Sequence, residues 1–139
     1  MAGSSAFAFP KGKKPSDPKW ARSATGRFYR FVDLDPEELG LSGKSGVFVI
    51  WHGGVQPEWV FVDRSRDLAA TFHAIAEDEE VMYYDLRGRL FVTWTLIKPE
   101  FQEGVVRYLI ESLKPIIDNP NAEAMSAEPI PVFPPAYHP

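Results

Sequence analysis

His52, His73 and Asp63 are one set of side chains that could do chemistry, because two imidazoles and a carboxylate are a common transition-metal ligand set. Their spacing puts no two of them on adjacent turns of one helix. A loop histidine and a helix-surface histidine are therefore the expectation, with no metal and no cofactor. Cysteine is absent. That removes thiol nucleophiles, thiolate ligands and disulfides, and it fits a reducing compartment. Serine, histidine and aspartate all occur, but in no nucleophile-elbow context. Gly53-Gly54 is followed by no helix start, so it does not cradle phosphate. Trp51, Trp59 and Trp94 fall in apolar runs and read as core or interface rather than as base-stacking platforms. Arg64, Arg66, Arg87 and Arg89 sit among acids and read as a salt-bridged surface.

The elements that must position these residues centre on 46–75. Val47 to Trp51 is a short β-branched and aromatic run, and Gly53-Gly54 breaks it. Trp59 to Val62 is a second run, close enough to pair with the first as an antiparallel hairpin. Ser65 or Asp67 then caps a helix whose apolar stripe is Leu68, Phe72 and Ile75. Both strands are apolar at nearly every position, which predicts cover on both faces. The expected fold class is α/β (α+β), with a small antiparallel three-stranded sheet and helices packed on it. Strands are expected near 46–51, 59–63 and 90–97, and helices near 66–77 and 100–114. Residues 28–32 could add a short strand. Asp35-Pro36-Glu37-Glu38 opens about one helical turn. Glu77 to Glu80 puts four acids at a helix C-terminus, where they oppose the dipole, so the helix stops there and the acids are solvated. Pro99 opens the second long helix, with Phe101, Val105, Tyr108, Leu109, Ser112, Leu113 and Ile116 as its buried stripe.

The order strand–strand–helix–strand–helix, with a glycine and an aromatic opening the first strand, resembles the GIY-YIG nuclease fold over about residues 45–119. Gly46-Val47-Phe48 stands where that family has Gly-Ile-Tyr, and Phe61-Val62-Asp63 where it has Tyr-Ile-Gly. Leu109-Ile110 followed by Lys114-Pro115 is similar to the family's last helix. Trp51-His52-Gly53-Gly54, Val92-Thr93-Trp94 and Arg107-Tyr108-Leu109 resemble a group of small bacterial proteins of this fold. The resemblance implies phosphodiester cleavage by a motif tyrosine, a first-helix arginine and a glutamate that holds a divalent metal. Position by position, this chain departs from it. The tyrosine positions are Phe48 and Phe61, the motif glycine is Asp63, the arginine position is Thr71 and the glutamate position is Val106. The expectation is a fold kept without its nuclease chemistry, and so not an enzyme. The rival within the enzyme class is a rearranged metal-dependent nuclease site around Glu103 and His73.

Charge is unevenly spread. Residues 11–30 carry net +6, residues 31–117 net −7 and residues 118–139 net −3. The body therefore lacks the positive surface that holds nucleic acid, and only the N-terminal arm could grip phosphate. Three regions are expected: a basic extended arm over 1–27, a domain over 28–119 and a proline-rich tail over 120–139. The arm spaces Phe7, Phe9 and Trp20 along a polar chain. The tail spaces Ile130, Val132, Phe133 and Tyr137 between prolines. Such segments bury anchors on a surface they find, their own domain or a neighbour's, and proline stiffening lowers the entropy lost. The reading is a binding or accessory subunit that meets a protein partner or a second copy through its arms, whose deletion would leave a folded domain. No secretory signal or membrane-length segment is seen, so the cytoplasm is the expected location.

Overall fold

The computed structural model of the chain describes residues 14–135. It is an α+β fold with one antiparallel sheet of four strands in the order β1-β4-β2-β3. The strands are β1 (Tyr29–Arg30), β2 (Gly46–His52), β3 (Glu58–Ser65) and β4 (Leu90–Thr95). The helices are α1 (Leu68–Ala76), α2 (Glu79–Met82) and α3 (Pro99–Leu113). The expected count of three strands is corrected to four. The fourth strand is only two residues long, pairing Tyr29 with Val92 and Arg30 with Phe91. Two residues are too few for a period-2 pattern to show.

β2 is central, and all seven of its residues are buried. Its alternation sorts the core into two halves. Phe48 and Ile50 face α1 with Val60, Leu68, Phe72, Leu90, Val92 and Trp94. Val47, Val49 and Trp51 face α3 with Val62, Val105, Val106 and Leu109. The hairpin register shifts between Ile50 and Trp51, so Ile50 pairs with Phe61 while Trp51 pairs with Trp59. Val60 is the extra residue of a bulge. Without it, Trp59 and Phe61 would share a face. With it, Trp59 packs on the α3 side and Phe61 on the α1 side.

Asp67 is the N-cap of α1, its carboxylate accepting from the Ala70 amide at 3.2 Å and from the Gly43 amide at 3.1 Å. Both bonds favour the charged form, the Gly43 one most, and hold the carboxyl below its ordinary range. The acids of 77–80 do not simply end a helix. Asp78 caps α2, accepting from Glu80 N at 2.9 Å and Val81 N at 3.3 Å. Glu79 and Glu80 then lie in a first turn, where the dipole favours them. They are exposed, as expected.

An open sheet edge is an invitation to pair, and here the chain covers both edges itself. After α3, Ile116 N and Ile117 N donate to Trp59 O and Val60 O, each at 3.0 Å. Asn119 adds a bond to Val62 O at 3.1 Å. On the other side β1 covers only part of β4. The N-terminal segment covers the rest, with Ala21 N donating to Trp94 O at 2.9 Å. No helix among the described residues is long and apolar enough to cross a membrane.

Candidate interaction site

β4 carries two threonines inside an apolar run, and both are buried. A buried hydroxyl needs a partner. Thr93 Oγ1 donates to Ala21 O at 2.7 Å, and Thr95 Oγ1 donates to Pro18 O. These bonds fasten the N-terminal segment along the sheet. The C-terminal tail crosses α3 instead. Gly104 lets it approach: a Cβ there would lie 2.6 Å from Glu128 O and 2.8 Å from the Ile130 side chain. Ile130 N donates to Gly104 O at 3.0 Å. The residue before Gly104, Glu103, accepts from Ala127 N at 2.7 Å and Ser126 N at 3.1 Å. Arg107 donates to Ala127 O at 2.9 Å and is itself held by Glu111 at 3.0 Å. Glu103 and Arg107 thus grip both sides of one backbone residue.

The two arms then join. Ser16 and Val132 form a parallel bridge, with Ser16 N donating to Pro131 O at 3.3 Å and Phe133 N to Ser16 O at 2.9 Å. The Trp20 indole donates to Phe133 O at 2.7 Å. A groove of about 410 Å³ opens at this junction, lined by Trp20, Phe28, Phe133 and the Pro134-Pro135 pair. Arg22 also lines it and lies over the Phe28 ring, 3.9 Å from its centroid. Lys19 and Asp17, a pair 3.8 Å apart, complete the wall.

Of the seven residues expected to contact a partner, Phe7, Phe9 and Tyr137 lie outside the described residues. Val132 is wholly buried in the core on the α3 side, so that anchor serves the chain's own domain. Ile130 is half-buried against the same core. Trp20 and Phe133 are brought together, and Phe133 keeps 55% of its surface exposed. The described parts of both arms, 14–27 and 120–135, are thus seated on the body.

The positions matched to the nuclease motif do not converge. Phe48 and Phe61 are in or against the α1 side of the core, while Val106 is in the α3 side. Asp63 lies on β3 and accepts from the Arg64 amide at 2.8 Å. Thr71 lies on α1, its hydroxyl 2.6 Å from that of Ser65. Glu103 and His73 are on helices that pack on opposite faces of the sheet. His73 pairs with Glu37 at 2.8 Å. His52 is buried and satisfied: its Nδ1 accepts from Gly54 N at 3.4 Å, and its Nε2 meets Glu58 at 3.0 Å. Among the described residues no group of three His, Asp or Glu side chains is placed to hold a metal.

Glu103, Gly104 and Arg107 were not legible as a tail clamp. A glycine inside an otherwise regular helix was the available sign, since it costs about 1 kcal/mol against alanine and needs a reason. The clamp predicts a pH effect. The Ala127 amide first, then the Ser126 amide, hold the Glu103 carboxyl below the ordinary glutamate range. A lowered folded pKa means the stabilisation is complete above the unfolded value and is lost as pH falls through the folded one. Protection of the Ser126 and Ala127 amides against hydrogen exchange, corrected for intrinsic rate, is expected to fall below the glutamate range. Glu103→Gln is expected to flatten that dependence, and an unchanged profile in Glu103→Gln would contradict it. No family model, no curated protein and no solved structure matches the chain.

Proposed function

We propose that this protein is a non-catalytic binding or accessory subunit that meets a protein partner at the groove where its arms join. The observation that carries this reading is Phe133. It is a large aromatic left 55% exposed beside the Trp20 indole, on a tail whose backbone is bonded to α3 at Ser126, Ala127 and Ile130. Aromatic anchors at the rim of a preformed groove are what interface hot spots are made from. The surrounding prolines and the clamp at Ala127 hold the groove in place before binding, so little ordering entropy remains to oppose association. The loss of both motif tyrosines, to Phe48 and Phe61, supports a GIY-YIG-like body without nuclease chemistry. Glu103 supports it too, because its carboxylate is engaged by the tail.

The test uses full-length protein at native expression level in its host, beside Phe133→Asp. Phe133 is exposed, so the variant is expected to fold with an unchanged circular dichroism spectrum. At least one stoichiometric associated protein is expected to be lost, and the same association then to weaken about tenfold or more with purified components. Identical associated proteins for both forms would overturn the reading.

A second reading is favoured by the basic segment 14–30, which holds five Lys or Arg and one Asp. Within it, the Arg30 Nε is buried with no hydrogen-bond partner. A nucleic-acid binder built on this segment would lose affinity steeply with salt through counterion release. The groove reading predicts a shallow salt dependence.

A further inference from the structure

Beyond the His52 end of β2 the chain builds a second exposed surface. Gly53 N donates to Gly88 O at 3.0 Å and to Arg89 O at 3.1 Å. A Cβ on Gly54 or Gly88 would collide with the backbone of the facing loop. Two loops are thereby held backbone to backbone. Each presents an aliphatic side chain beside that contact: Val55 is 103% exposed and Leu86 85%. Such exposure of two large apolar groups on pinned backbone is a surface built to be covered.

The segment 79–89 gives this surface direction. It runs through α2 into a 3-10 turn over Tyr83–Arg87. Glu79, Tyr83 and Leu86 recur at i, i+4 and i+7, which places them along one stripe, and Tyr83 is 49% exposed. The segment is acidic at its start, with Glu79 and Glu80 exposed, apolar in its middle and basic at its end, with Arg87 and Arg89 exposed. Arg87 is steadied by the Tyr83 hydroxyl at 3.0 Å. A two-fold interface must be self-complementary, since residue i meets j and j meets i. Laid antiparallel on a second copy, the segment 79–89 sets its basic end, Arg87 and Arg89, against the acidic end, Glu79 and Glu80. It also sets Tyr83, Leu86 and Val55 against one another.

We infer that a second copy of this chain packs on the Tyr83, Leu86 and Val55 surface, in an antiparallel two-fold pair steered by the charges at the two ends of 79–89. The test is sedimentation equilibrium of the full-length protein from micromolar to millimolar concentration. A monomer–dimer equilibrium is expected, and Leu86→Lys is expected to raise its dissociation constant about tenfold or more. Leu86 is exposed, so the variant keeps its fold. Arg87→Glu with Arg89→Glu should also yield monomers, because each copy then presents acid to acid. Mixing that protein with Glu79→Arg, Glu80→Arg protein should restore a one-to-one heterodimer. A monomer throughout the range, a dimer indifferent to Leu86→Lys, or no heterodimer on mixing would each overturn the inference.

Discussion

Val132→Asp is expected to release the C-terminal tail from α3 and to cost about 3 kcal/mol of stability. Val132 is wholly buried in the apolar cluster that holds Val47, Val49, Trp51 and Val105. A charge placed there must be neutralised, or the segment must leave. The tail lies outside the sheet, so leaving is the cheaper course, and the cost is capped at the free energy of tail docking. Two readouts follow. Thermal unfolding shifts down, and the Ser126, Ala127 and Ile130 amides lose exchange protection while the β2 amides keep theirs. Retained protection at Ala127 would mean that the tail does not depend on this anchor.

Gly104→Ala sets two effects against each other. Alanine favours the interior of α3 by about 1 kcal/mol over glycine. Its methyl, however, would sit 2.6 Å from Glu128 O and 2.8 Å from the Ile130 side chain. The Ile130 terminus can rotate away, but the Glu128 carbonyl is backbone, tied through Ala127 to Glu103 and Arg107. Overpacking of this kind costs about 1–3 kcal/mol and removes the Ile130–Gly104 hydrogen bond as well, so the clash wins. Net destabilisation of about 2 kcal/mol in chemical denaturation is expected. A variant more stable than the parent would show that the tail does not lie across α3 in solution.

The hairpin was legible because β2 and β3 are runs of apolar, β-branched and aromatic residues. They are covered on both faces, so tertiary context agrees with local preference. The start of α1, left between Ser65 and Asp67, and the opening of α3 were legible because Asp67 and Pro99 act within one turn of themselves. What escaped depends on partners distant in sequence. The bulge at Val60 is set by register against β2 rather than by any glycine. Glu77 to Glu80 read as the end of one helix, when Asp78 starts the next. Above all, Glu103 entered only through the rival nuclease reading, because side-chain type carries no record of which amides lie above it. Its partners are the amides of residues 126 and 127, reached only after the chain turns at Asn119 and folds back. Trp20 and Phe133 were legible as anchors, but their meeting depends on the Ser16–Val132 bridge, which no local pattern announces.

Photo-crosslinking from position 133 tests the central claim most directly. A photoreactive phenylalanine analogue replaces Phe133 in the full-length protein in its host, with the same analogue at exposed Glu123 as control. The account predicts a light-dependent adduct of one discrete mass from position 133, absent from position 123 and lost when Val132→Asp undocks the tail. No adduct from position 133, or the same adducts from both positions, would contradict it.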